Sequence, residues 1–165
     1  MELRRIPSGA LAGAAAAAVW AAQQPLDKKA FGSGYDDVEL LGKLVTRDSG
    51  WQAAGLAIHM ANGAAFGTVY ALVRPLIPGP AQTAGVAAGL AEHLATWPLT
   101  AVVDRSLTGN RRAFAQSAWR HALFGLVLGE LERRLNPPDS EPQPLDPAAV
   151  ASNGHGSSEY VVSLN

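Results

Sequence analysis

The chain has 165 residues, enough for one domain, and its 13 basic and 14 acidic side chains give a formal net charge of −1. Charged residues make up only 16% of the sequence, against about 25% in ordinary soluble domains. The sequence shows no basic patch or stripe, which argues against binding to nucleic acid. Cysteine is absent, which excludes disulfides, thiolate metal ligands and a cysteine nucleophile.

The first apolar segment covers residues 6–23 and consists largely of alanine. A helix of that length rises about 27 Å, just short of a hydrocarbon core of about 30 Å. Pro25 is expected to kink or end this helix. Two alternatives stay open for the segment. It could be a cleaved signal peptide with Arg4 and Arg5 as its basic flank, or an amphipathic helix on the membrane surface.

The long connection that follows contains a second helix signal. Asp36 lies three residues before Glu39, which is the spacing of a helix N-cap. Apolar residues then fall on one face at helical spacing, namely Val38, Leu41, Leu44 and Val45. We therefore expect a short amphipathic helix over about 36–46, lying on the membrane surface or packed over the bundle.

Three further weakly charged segments predict membrane-spanning helices over 51–73, 80–103 and 113–131. Trp51, Tyr70 and Phe114 lie near the ends of these segments, where aromatic belts are expected. The sequence therefore predicts an all-α, membrane-embedded bundle of about four transmembrane helices, formed by residues 1–135. Prolines and small polar residues dominate the remainder, so 136–165 is predicted to be a disordered tail that is dispensable for folding.

Glycines recur four residues apart in each predicted span: Gly9 and Gly13, Gly63 and Gly67, Gly85 and Gly89, Gly125 and Gly129. Lipid tails are as apolar as leucine, so helices in a bilayer associate through close packing of small residues. We therefore expect the small and polar faces to point at other helices and the Leu, Val and Phe side chains to face lipid. A soluble bundle would show the reverse distribution.

Six polar side chains are predicted to lie at one level near the middle of the bilayer: His59, Asn62, Glu92, His93, Arg120 and His121. A near-repeat, AAGLAIHMA at 53–61 and AAGLAEHLA at 87–95, places His59 and His93 at equivalent positions. An ionised group at this depth costs about 2.5–3.5 kcal/mol, so Glu92 is expected to pair with Arg120. This polar layer is either a structural clasp that fixes helix register or a site for a ligand, proton or metal.

The polar layer also contains side chains that can bind metal ions. Three histidines and a glutamate are suitable donors for zinc, iron or haem. They show no metal-ligand spacing such as H-E-x-x-H, and sequence motifs for nucleotide or acyl chemistry are absent. We therefore predict no metal, no cofactor and no catalytic residue. Trp97 and Trp119 could stack on a ligand, although helix contacts are the commoner role.

Three strings carry a resemblance: WAAQQPLDKKAFGSGYDDVELLGK, EHLATWP and WRHALFGLVLGELERRLN. They resemble those of uncharacterised, small, alanine- and glycine-rich multi-pass membrane proteins of actinobacterial type. The resemblance covers about residues 10–136. It implies a membrane location and brings no established activity or catalytic residue.

Three functional hypotheses follow from these patterns. The leading one is a non-enzymatic, multi-pass protein of the cell membrane, an accessory or interaction subunit. Its partners would be the lipid bilayer and other membrane proteins, or a second copy, bound through small-residue helix faces. The alternative is a membrane-embedded carrier or enzyme that uses the mid-bilayer His/Glu/Arg layer. A third is a soluble or surface-bound helical protein. The basic residues are spread too evenly between the two sides to fix the orientation.

Overall fold

The computed structural model describes residues 2–137, and every regular element in that range is a helix. Five α-helices follow one another: α1 (Arg5–Phe31), α2 (Asp37–Val45), α3 (Trp51–Val73), α4 (Ala81–Val103) and α5 (Arg111–Leu135). Short 3-10 turns form Glu2–Arg4, Arg74–Leu76 and Arg105–Leu107. The predicted all-α class is confirmed. The predicted tail lies outside the described residues, apart from its first two.

Local signals account for most helix ends. α3 has the predicted bounds, and α2 begins where the N-cap spacing placed it, with the Asp36 carboxylate accepting the Glu39 backbone N–H at 2.9 Å. α5 begins two residues before the predicted 113 because the Asn110 side chain caps it, accepting the Ala113 backbone N–H at 3.1 Å.

α1 differs from the prediction, because it continues through Pro25 to Phe31 and ends at Gly32, which has a φ of 57°. A proline inside a helix loses one backbone hydrogen bond and strains the preceding turn. Beyond Pro25, however, Asp27 is buried and bonded to α5. These contacts hold the last two turns of α1 in helical form, and they cannot be read from a local rule about proline.

The helices pack in an antiparallel arrangement with α1 and α5 at the centre. Arg5, at the start of α1, forms an ion pair of 3.0 Å with Glu132, near the end of α5. α3 packs against α1, α4 packs against α5, and α2 packs against α3. α3 therefore lies next to α1, and α4 lies next to α5.

The predicted glycine pairs form these contacts. A methyl group at Gly13 of α1 would overlap the backbone carbonyl oxygen of Gly63 of α3, and one at Gly85 of α4 would overlap that of Gly125 of α5. The helix backbones therefore touch directly, as in the close packing of helices within membranes. The prediction that small-residue faces point at other helices is confirmed.

Many bulky apolar side chains point outward and several polar ones inward, although Phe124 and Leu128 are buried in the core, contrary to the expectation that Leu and Phe side chains face lipid. Val69 on α3 is 60% exposed and Leu99 on α4 is 67% exposed, whereas Arg120 and Gln116 on α5 are fully buried. Two helical stretches, Trp51–Leu76 and Ala81–Val103, are long and apolar enough to cross a membrane, which by itself is weak evidence. α1 and α5 do not reach that threshold, so this criterion does not confirm four spans. Polar residues such as Gln23 and Gln24 lower the mean hydropathy of α1, and polar buried residues lower that of α5.

Candidate functional site

A cavity of about 210 Å³ opens between α3 and α4, and we call it the cleft. His59 and Asn62 of α3 line one wall, and Glu92 and His93 of α4 line the other. Trp20 of α1 and residues of α5 lie between these walls, and α2 contributes residues at one end. Asn62 is exposed and the Glu92 side chain is 36% exposed, so the cleft is open along this side.

Five of the six predicted polar-layer residues line the cleft: His59, Asn62, Glu92, His93 and His121. The near-repeat in the sequence therefore brings His59 and His93 to opposite walls of one cavity. The prediction that three helices each contribute a mid-helix histidine to one level agrees with this geometry. Arg120, the sixth residue, does not line the cleft.

The expected pairing of Glu92 with Arg120 is wrong. Arg120 is fully buried and donates through Nε and Nη2 to both carboxylate oxygens of Asp27, at 2.7 and 2.6 Å, and through Nη1 to Asp37 at 2.6 Å. We call these three residues the ion cluster. Residues 120 and 121 are adjacent on a helix and point about 100° apart, so only one of them can face the cleft. Asp27 was missed as a partner because the prediction ended α1 before it.

The ion cluster is tightly hydrogen-bonded. Gln116 also donates to Asp27 at 2.6 Å, and the indole N–H of Trp20 donates to Asp37 at 3.2 Å. A bidentate pair between arginine and carboxylate is among the strongest polar contacts in proteins. This arrangement fits the structural clasp that the sequence suggested, with α1, α2 and α5 as the helices joined.

Glu92 lies instead within ion-pair distance of His121. His121 Nδ1 lies 2.8 Å from the Ser117 carbonyl oxygen, which can only accept, so Nδ1 carries a hydrogen. Nε2 lies 3.1 Å from Glu92 Oε2. When Nε2 also carries a hydrogen, the imidazole is a cation with Glu92 as its counterion, and this ion pair has no net charge.

Two buried imidazole nitrogens in the cleft, His59 Nε2 and His93 Nε2, have no hydrogen-bond partner among residues 2–137. His59 is 8% exposed and His93 is 1% exposed. Ser117 Oγ lies 3.2 Å from His93 Nδ1, which fixes that ring with Nε2 on its other side. Unpartnered buried polar atoms are uncommon in folded proteins and need an explanation, and a ligand is one.

Aromatic side chains complete the cleft, and sequence reasoning identified only one of them. The Trp20 ring packs edge-on against His121 at 4.6 Å and His59 at 5.1 Å between centroids. Tyr35 and Trp97 pack edge-to-face at 5.9 Å. Of the two tryptophans proposed to stack on a ligand, Trp97 lines the cleft, whereas Trp119 is 48% exposed and lies outside it.

The ionised groups on the cleft wall are carboxylates. Asp37 and Glu92 line it, and among residues 2–137 no lysine or arginine does. Burial, followed by the negative charge of Asp37, raises the pKa of Tyr35 well above its ordinary range, so the hydroxyl stays neutral. The cleft is therefore aromatic and electronegative. Within residues 2–137, no group of three His, Asp or Glu side chains is arranged to hold a metal ion.

Comparisons of the chain with protein-family models, with curated proteins and with solved structures found no match. The resemblance to small multi-pass membrane proteins of actinobacterial type therefore stays a prediction.

Proposed function

We propose that this chain is an integral membrane protein that binds a small molecule in the cleft. In this proposal α1, α3, α4 and α5 cross the bilayer, and α2 lies at one membrane surface. The observation that supports it best is the convergence of five predicted polar-layer residues on one cavity, two of them with unpartnered buried nitrogens. Polar groups at this depth are costly in a bilayer, and they commonly mark functional sites.

The exposed surface supports the membrane part of the proposal. Residues 6–26 of α1 carry no charged side chain, and residues 113–129 of α5 carry only Arg120, which is buried. Thus the faces of α1 and α5 that lie outside the bundle are apolar at mid-length, although neither helix reaches the hydropathy of α3 and α4. A helix that buries its polar residues against neighbours can cross a membrane despite modest hydropathy.

The accessory-subunit hypothesis has less support from the geometry. Its proposed docking surfaces were the glycine faces of the spans. Those faces are occupied inside the chain, because α1 packs on α3 and α4 packs on α5 through them. A partner that docks on this protein would need another surface. The alternative hypothesis, a carrier or other ligand-binding protein that uses the polar layer, fits the cleft directly.

The membrane part is tested by alkaline carbonate extraction, after which the full-length protein should stay in the membrane pellet. Release into the supernatant would contradict a spanning bundle. The cleft is tested in the same membranes by single-cysteine labelling, for which the cysteine-free chain is well suited. Asn62→Cys lies in the cleft, and Ala61→Cys lies at the same depth outside it.

The rate of reaction with a membrane-permeant maleimide distinguishes these two variants. A cleft that admits water should allow Asn62→Cys to react, whereas a thiol that faces lipid should stay largely protonated and react more slowly. We expect the rate at Asn62→Cys to exceed that at Ala61→Cys by about tenfold or more, since only the ionised thiolate is an efficient nucleophile. Equal rates at the two positions would contradict an open cleft between α3 and α4.

A further inference from the structure

We propose that the cleft binds an organic cation, which competes with a proton on His121 for the carboxylate of Glu92. This inference rests on the proposed function and adds the chemical class of the ligand and its dependence on pH.

The first support is the sign of the charge around the cleft. Among residues 2–137 no arginine lines the cleft, and Arg120, behind its wall, contacts two carboxylates, Asp27 and Asp37. One guanidinium against two carboxylates leaves the ion cluster with an uncompensated negative charge. Asp37 exposes part of its side chain to the cleft, and Glu92 exposes more. Because a bilayer screens charge poorly, this negative field favours a cation over a neutral or anionic molecule of the same shape.

The second support is the aromatic wall. Trp20 and Trp97 line the cleft together with Phe66 and Phe124. Tyr35 also lines it, but the Arg120 guanidinium already lies over its ring, 5.6 Å from the centroid. The faces of such rings attract organic cations, and tryptophan does so most strongly. An aromatic cavity with a carboxylate at its edge is suited to an ammonium group that carries apolar substituents. A small inorganic ion would be held less well, because it would lose its hydration shell against mostly apolar groups.

The third support is the position of His121 next to Glu92. The Glu92 carboxylate lies at the open side of the cleft, 3.1 Å from His121 Nε2, and a proton on that nitrogen makes the imidazolium its counterion. Each packed element contributes other titratable or charged groups to the cleft or to the ion cluster next to it. They are Asp27 on α1, Tyr35 just before α2, Asp37 in α2, His59 on α3, His93 on α4 and Arg120 on α5. None of these is a lysine or an exposed arginine that could replace the imidazolium as the counterion of Glu92.

Binding of the cation is coupled to the release of one proton. A monovalent cation that reaches Glu92 takes the place of the His121 imidazolium as its counterion. The proton leaves to water, His121 becomes neutral, and the net charge of the site with its ligand is unchanged. Cation and proton therefore bind in competition, and the affinity for the cation falls as the pH is lowered, by at most about tenfold per pH unit.

The experiment compares three probes on the detergent-purified full-length protein by equilibrium dialysis. Benzyltrimethylammonium is a permanent cation, so any effect of pH on its binding arises in the protein. Neopentylbenzene is its neutral isostere, in which carbon replaces the nitrogen, and benzylsulfonate is an anion of similar size. We expect the cation to bind at least about tenfold more tightly than either, and to bind more weakly as the pH is lowered.

Two variants separate the role of Glu92 from a general loss of structure. Glu92→Gln should lose both the preference for the cation and its dependence on pH, while it still binds neopentylbenzene. Glu130→Gln is the matched control, because it removes a carboxylate of α5 that pairs with Arg133 and Arg134 away from the cleft. If Glu92→Gln does not fold, His121→Gln provides a second test, since it should bind the cation without dependence on pH.

The outcomes distinguish this inference from the proposed function. Equal binding of the cation and its neutral isostere, or preferred binding of the anion, would overturn the cation site and leave a ligand-binding cleft intact. Binding of the cation without dependence on pH would overturn the competition with the proton. If none of the probes binds, the cation site is wrong. Equal labelling of the two cysteine variants would then count against the proposed function as well.

Discussion

Arg120 and His121 are neighbours on α5, yet they belong to two regions that differ in how completely their polar groups are paired. Arg120 lies in the ion cluster, where its side chain is fully buried and each of its nitrogens donates to a carboxylate. His121 lies in the cleft, where Glu92 remains partly exposed and two nearby imidazole nitrogens have no partner. The charged groups of the ion cluster are paired within the chain, although Oε1 of the neighbouring Gln116 has no partner among residues 2–137, whereas the cleft leaves two imidazole nitrogens unpartnered in that range.

The comparison shows how residues of similar chemistry at similar depth can differ in role. Buried charges contribute to a fold only when partners compensate the loss of hydration, and the ion cluster provides such partners from α1 and α2. In the cleft, the same types of residue leave hydrogen-bonding capacity unused and open toward the outside of the bundle. Incomplete pairing, rather than polarity as such, separates a candidate binding site from a structural clasp.

The largest effect is expected from the removal of Arg120, the cation of the ion cluster. We expect Arg120→Gln to lower the free energy of unfolding by about 3–5 kcal/mol, because Asp27 and Asp37 then remain buried without a counterion. Asp27→Asn should cost less, since Arg120 keeps Asp37 as its partner. The variant with both Arg120→Gln and Asp27→Asn should lose less free energy of unfolding than the sum of the two single losses, by about 1 kcal/mol or more. Denaturant titration in mixed micelles measures all three.

Arg111→Gln, at the exposed start of α5, is the control for this prediction. It removes the same side chain without leaving a buried carboxylate unpaired, so its effect should be small. If Arg120→Gln costs no more than Arg111→Gln, the ion cluster is not buried as described.

The sequence predicted most of the helices because their ends carry local signals. α3 is bounded by Gly50 and by Arg74-Pro75, and its predicted and observed bounds coincide. Glycine spacing also predicted which faces touch, since close backbone packing requires small residues regardless of the partner. The end of α1 could not be predicted in the same way. Residues beyond Pro25 are helical because of contacts with α5, which lies more than eighty positions away in the sequence.

The sequence predicted the level of the candidate site along the helices but not its side-chain partners. Five cleft residues could be placed at one level by counting along predicted spans, since rise per residue is constant in a helix. Their partners could not, because direction around a helix depends on how the helices pack. Glu92 and Arg120 share a level but point to different regions. Trp20 and Tyr35 carry no sequence signal that separates a cleft wall from an ordinary core position.

A second prediction sharpens the comparison at Glu92. Because Glu92 is partly exposed and pairs only with His121, we expect Glu92→Gln to change the free energy of unfolding by less than about 1 kcal/mol. Combined with Arg120→Gln it should be additive within about 0.5 kcal/mol, since the two residues share no partner. The same micelle titration measures both. Coupling as large as that between Asp27 and Arg120 would mean that the cleft and the ion cluster act as one network.

The smallest expected effect concerns Asp36, which lies next to Asp37 in the sequence but at the aqueous edge of the bundle. Burial would raise the pKa of Asp36, but hydrogen bonds from Lys28, the Glu39 backbone N–H and Gln24 outweigh it, so the pKa lies below its ordinary value. A carboxylate with a depressed pKa stabilises the fold above its unfolded-state pKa and loses that contribution as the pH falls through its folded-state pKa. Asp36→Asn keeps a side chain that can cap α2 and removes the charge.

We therefore expect Asp36→Asn to lower the free energy of unfolding by about 1 kcal/mol or less at about pH 7, and the difference from the wild type to shrink as the pH falls below about 4. Denaturant titrations in micelles at the two pH values measure this difference. The control is Asp48→Asn, which removes an exposed carboxylate in the loop before α3. A difference that persists at low pH would assign the contribution of Asp36 to its shape and hydrogen bonds rather than to its charge.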